Sequence, residues 1–130
     1  MTTDLTMLVF TALLTLVLAF PPVIALVLSQ GLGVAAGNRD EGLELPVWAG
    51  RASRAHRNAL ENLPIFATLV LVVHVTGVSS EATAQGAMLF FWARAAHAAI
   101  YIAGIPFLRT GAFGVSLVGL GMIAQAIFAM

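Results

Sequence analysis

Two short stretches hold most of the side chains able to do chemistry. The segment "RASRAHRNALEN" places Arg51, Arg54, Asn58 and Glu61 at i, i+3, i+7 and i+10, one face of a helix, and Arg57 adjoins them four residues before Glu61. The segment "RAAHAAIY" repeats the pattern with Arg94, His97 and Tyr101 at i, i+3 and i+7. Several arginines around one carboxylate suit an anionic, zwitterionic molecule. Guanidinium forks grip carboxylates in pairs of hydrogen bonds, the acid accepts from an ammonium, and Asn58 can serve an amide. A small peptide with two carboxylates and one amine matches that set. A metal fits badly, because the histidines are dispersed and Glu61 is the only acid near them. Ser-His-Asp hydrolysis fits badly too, since the polar face offers no deep serine nucleophile. Three readings stand on these residues alone: a ligand site, a structural polar network built on an Arg94–Glu61 salt bridge, and an ion or proton path.

The elements that must hold these residues are membrane spans. The chain has 130 residues, 60% of them hydrophobic and 9% charged, against about 25% charged in ordinary soluble domains. Its mean hydropathy is +0.98. Apolar runs at 5–32, 55–78, 82–102 and 111–128 each approach the roughly 20 residues that cross a bilayer core. The expected fold is all-α and integral to the membrane, a single domain over 1–130 with four transmembrane helices. Short links such as "TGVSSEAT" and "AGIPFLRTG" make sequential spans antiparallel neighbours in a four-helix bundle. All six basic residues are arginines, and there is no cysteine. Disulfides and a thiol nucleophile of the protein's own are therefore excluded. No basic face with interleaved aromatics is present, which excludes nucleic-acid binding. The start "MTTDLTMLVF" lacks the positive region of a secretory signal, so the first span is expected to be retained.

Arginines also set the expected orientation. Arg39, Arg51 and Arg54 lie in one link and Arg109 in another, so loops 33–54 and 103–110 should be cytoplasmic and both termini on the other side. Glu61 then lies about 15 Å in from Arg51 at about 1.5 Å per residue, level with Arg94. A lone charge at that depth costs about 2.5 to 3.5 kcal/mol, so such residues pair or line a watery cavity. Pro21 and Pro22 deprive the carbonyls of Val17 and Leu18 of their donors, and Pro64 does the same to Leu60, so kinks are expected at both places. In the last span Gly111, Gly114, Val118, Gly121 and Gln125 form one narrow stripe suited to close packing, within a protomer or between protomers. His74 reads as an interfacial residue at the far end.

The motifs "RAHRNALEN" and "RAAHAAIY", in a chain of this length with four spans, resemble the membrane-associated proteins of eicosanoid and glutathione metabolism, the MAPEG family. The resemblance implies a homotrimer that binds glutathione between protomers near the cytoplasmic side, with glutathione as co-substrate and no metal. By position, Arg54, Arg57, Asn58 and Glu61 look like the second-helix glutathione contacts, and Arg94, His97 and Tyr101 like those of the third helix. Arg109 looks like the arginine near the sulfur, with Tyr101 or Thr110 as hydrogen-bond donor. Arg51, His56 and Gln30 are weaker matches; Gln30 stands where family enzymes often carry a basic residue. The implied function is a glutathione transferase with peroxidase activity, in which positive charge lowers the thiol pKa and the thiolate attacks a lipophilic molecule arriving through the bilayer. The other readings are a non-catalytic lipid-binding or scaffold protein of the same fold and a small transporter. The implied partners are further copies of the chain, membrane lipids and that lipophilic substrate.

Overall fold

Two adjacent prolines decide the shape of the first span. In the computed structural model, which describes residues 1–40 and 42–130, α1 (Thr3–Val17) stops and α2 (Phe20–Gln30) begins just before Pro21 and Pro22. The prolines occupy the opening positions of α2, where a missing amide costs least. The break itself falls at Leu18 and Ala19. There the Ala19 amide turns to the Leu16 carbonyl at 3.0 Å. The Thr15 carbonyl, which an unbroken helix would pair with Ala19, accepts instead from His56 Nδ1 at 3.0 Å. A carbonyl can only accept, so Nδ1 carries the proton. The expected kink is thus a full interruption, closed by a side chain from the second span. A short α3 (Leu32–Ala36) follows.

The second span is α4 (Val47–Thr76), which runs unbroken through Pro64. It opens eight residues before the apolar run starts at 55, so 47–54 is helix rather than loop. The cause is plain: hydropathy marks where lipid begins, whereas alanine and arginine favour helix on either side of that boundary. Gly77, at φ 72°, ends α4, and Ser80 with Thr83 forms a reciprocal capping box that starts α5 (Glu81–Ala103). His74 is exposed in the last turn of α4. The last span, α6 (Pro106–Phe128), also opens earlier than its apolar run. Arg109 and Thr110 therefore stand on a helix and not in a link.

Phe66, Val70 and Val73 of α4, Ala87 and Phe90 of α5, and Leu120 and Ile123 of α6 form the core, with Leu5, Met7 and Leu8 of α1 packed against it. Phe66 and Phe90 stack with ring centres 4.1 Å apart. Helices α5 and α6 cross in close contact at Gly86 and Gly119. A methyl group on Gly86 would lie 2.8 Å from the Gly119 carbonyl, and one on Gly119 would lie 2.6 Å from that of Gly86. The stripe of Gly111, Gly114, Val118, Gly121 and Gln125 instead faces outward, and nothing stands within 4 Å of where a methyl on Gly111, Gly114 or Gly121 would be. It does not pack within the protomer. Far from the arginines, Asp4 is 2% exposed and accepts from the hydroxyls of Ser79 and of Thr83, the latter at 3.2 Å, tying the start of α1 to the α4–α5 turn. Four helices are long and apolar enough to span a bilayer, counting α1 and α2 as one, and the outer surface is rich in exposed leucine, valine and phenylalanine. This is a multi-pass membrane protein.

Candidate functional site

Asn58, about three turns inside the helical part of the second span, is where the two polar stretches meet. Its backbone carbonyl accepts from Asn62 Nδ2 at 2.8 Å, one helical turn on, and its Oδ1 accepts from Asn62 at 3.4 Å and from Arg94 Nη2. The carbonyl end of Asn58 is therefore engaged, and its amide is the end left for a ligand. Arg94 and His97 lie on the α5 face turned toward α4 and α6, and they are 4% and 3% exposed. The Arg94 guanidinium carbon is 5.9 Å from the centre of the Phe113 ring, and the His97 ring is 5.6 Å from Tyr101, edge to face, and 6.2 Å from Phe113. Arg109, delivered by the first turn of α6, stands over the Tyr101 ring at 4.3 Å, a cation–π stack.

A cleft opens beside these side chains. Asn58, His97, Tyr101, Arg109, Thr110 and Phe113 line a volume of 260 Å³. Three buried side-chain polar atoms have no partner among the described residues: Asp4 Oδ1 at the far end of the bundle and, at this site, Arg94 Nη1 and His97 Nδ1. Leaving a buried donor or acceptor unmade costs about 1 to 3 kcal/mol, more when the group is charged. An arginine whose side-chain bond goes to a neutral amide, next to a cleft, is what an anion would complete.

The structure divides the residues singled out by sequence. Asn58, Arg94, His97, Tyr101, Arg109 and Thr110 come together at or beside the cleft. Arg54, Arg57 and Glu61 are exposed on another flank of α4 and do not line it. The Arg94–Glu61 salt bridge does not form, because Glu61 is turned about 60° around the helix from Asn58, and Arg94 takes Asn58. Arg51 donates through Nε to the Ile102 carbonyl at 2.9 Å, and His56 is engaged with α1. Gln30 lines a different cleft of 380 Å³ with Val34, Gly37, Asn38, Arg39, Asp40 and Leu43, none of them buried. In it Arg39, at φ 57°, folds back so that Nε and Nη2 both donate to the Ala35 carbonyl, at 2.8 and 2.6 Å.

Sequence reading missed Asn62 and Phe113. Asn62 carried a usable signal, since it follows Asn58 by four residues. Phe113 carried none, because one phenylalanine in an apolar run looks like any other. Among the described residues no group of three histidine, aspartate or glutamate side chains could hold a metal ion. No curated protein and no solved structure matches the chain. A model of the MAPEG family matches residues 5–129, which takes in all four spans and every residue of the cleft, and the chain belongs to that family of membrane proteins of glutathione and eicosanoid metabolism.

Proposed function

We propose that this protein is a membrane glutathione transferase with peroxidase activity. The observation that carries the reading is the pair of buried, incompletely bonded groups, Arg94 and His97, beside a cleft bordered by Tyr101 and Arg109. Arg94 takes a carboxylate of the tripeptide, and Asn58 Nδ2 donates to a peptide carbonyl. Arg109 and the Tyr101 hydroxyl stabilise the thiolate, since neighbouring positive charge favours the ionised sulfur. In conjugation the sulfur bonds to an electrophilic carbon while the leaving group departs with its electron pair and takes up the proton lost by the thiol. In peroxide reduction the thiolate attacks one oxygen of the O–O bond, and the alkoxide departs and is protonated. A second glutathione then converts the resulting sulfenic acid to a disulfide and releases water.

The cleft is smaller than the roughly 300 to 1,000 Å³ of typical ligand pockets. It holds one end of a tripeptide. Arg54, Arg57 and Glu61 wait on the adjoining exposed flank of α4, and a charge such as Glu61 set toward lipid is costly. A neighbouring protomer covers that flank in a homotrimer, and the remainder of glutathione lies at the seam, with the arginine-bearing end cytoplasmic. Calorimetric titration of glutathione into detergent-purified protein should give saturable binding, weakened in Arg57→Ala and in Glu61→Gln. Wild type without binding heat would leave the lipid-binding or scaffold reading instead.

A further inference from the structure

Three carbonyls at the end of α5, those of Ile100, Tyr101 and Ile102, have partners, and one of these is an arginine from another helix. The Gly104 amide donates to Ile100 and Tyr101 at 3.0 and 3.1 Å, and the Ile105 amide donates to Ile100 at 3.2 Å. Ile102 lies beyond the reach of these turn amides, and its carbonyl accepts from Arg51 Nε at 2.9 Å. A cation at a helix C-terminus is favoured in addition by the helix dipole. The Arg51 guanidinium also fills the space above Gly104. A methyl there would meet Arg51 Cζ and Nε at 3.1 Å each, and Gly104 itself sits at φ 83°, where side chains are strained.

That turn is the hinge of the candidate site. Tyr101 is in the last turn of α5, and only Gly104 and Ile105 separate α5 from α6. The Arg109 amide bonds to the Ile105 carbonyl at 3.3 Å, so the direction in which Gly104 and Ile105 leave α5 sets where α6 starts and where Arg109 lands. We propose that Arg51 is a positioning residue for the Arg109–Tyr101 pair: it caps the Ile102 carbonyl and, lying over Gly104, fixes the turn that brings Arg109 back across the Tyr101 ring. The consequence for thiol ionisation rests on the function proposed above; the positioning does not.

Tyr101 is the one tyrosine in the chain, so fluorotyrosine incorporated into the full-length protein gives a single fluorine NMR signal that reports the stacked guanidinium without any thiol. Arg109→Ala defines the unstacked signal. Arg51→Ala and, independently, Gly104→Ala should move the resonance toward it, and Arg51→Lys, which keeps a donor for Ile102, should return it part of the way. With glutathione and a lipophilic electrophile, Arg51→Ala should lower kcat by on the order of tenfold, as small misplacements of reacting groups do, and shift its pH profile to higher pH while leaving KM for glutathione little changed. A wild-type resonance in Arg51→Ala and Gly104→Ala, with Arg109→Ala shifted, overturns the proposal, as does an Arg109→Ala signal identical to wild type. A protein that passes the fluorine test yet binds no glutathione keeps the positioning and loses the functional reading. Should Arg51→Ala not fold, Gly104→Ala and Arg51→Lys decide the outcome.

Discussion

Arg94 is a buried guanidinium whose side-chain partner is a neutral amide, and substitutions at that partner separate stability from binding. Replacing Asn58 by leucine removes the acceptor without supplying another. The expected cost is about 1.5 to 3 kcal/mol for a hydrogen bond to a charged group, read as a lower thermal unfolding midpoint in detergent. Asn58→Asp supplies a counter-charge at the same position. It should fold at least as well as Asn58→Leu yet bind an anionic tripeptide far more weakly, because Arg94 is then neutralised from within; equal affinity in calorimetry would contradict the role given to Arg94. Helical spacing was enough to bring Arg94, His97 and Tyr101 onto one face and to single out Asn58. It could not say that Asn58, and not Glu61, meets Arg94, because a rotation of about 60° about one axis changes the answer without changing the pattern.

Between helices, the deciding contacts are those of glycine. Gly86 and Gly119 let the backbones of α5 and α6 touch, and Gly86→Val should drive them apart and cost about 1 to 3 kcal/mol, as overpacking does. Gly114→Val is the control. Its side chain would point into open space within the protomer, so the protomer's unfolding midpoint should be unchanged, and a change in oligomer mass alone would mark that face as a contact between copies. The sequence offered the outward stripe more loudly than the true crossing, since five small or slender residues in register outweigh two isolated glycines on different spans. The four spans were legible for a simpler reason: length and apolarity suffice to define them. Their ends were not, because α4 and α6 extend past the apolar runs that revealed them, and so carry Arg51, Arg54, Arg109 and Thr110 on helices.

At the scale of the molecule, the two ends of the bundle are chemically unlike. The end bearing Arg39, Arg51, Arg54 and Arg109 carries the two clefts described above, and the opposite end is tied by Asp4, Ser79 and Thr83. Arg39 in the link and the arginines at the helix ends should hold the first end on the cytoplasmic side. The absence of cysteine makes this easy to check: in sealed vesicles of known orientation, an impermeant maleimide should reach Asn38→Cys from the cytoplasmic face only and Glu81→Cys from the opposite face only. The reverse labelling would invert the proposed orientation.

The two-residue joint between α5 and α6 also bears on how the chain is made. Helix α5 carries Arg94, a burden of about 2.5 to 3.5 kcal/mol for any helix entering lipid by itself. With only Gly104 and Ile105 between them, the ribosome delivers α6 almost as soon as α5 is complete. Docking of α6, whose Phe113 ring lies 5.9 Å from the Arg94 guanidinium carbon, therefore shields that charge from lipid as soon as the two helices meet.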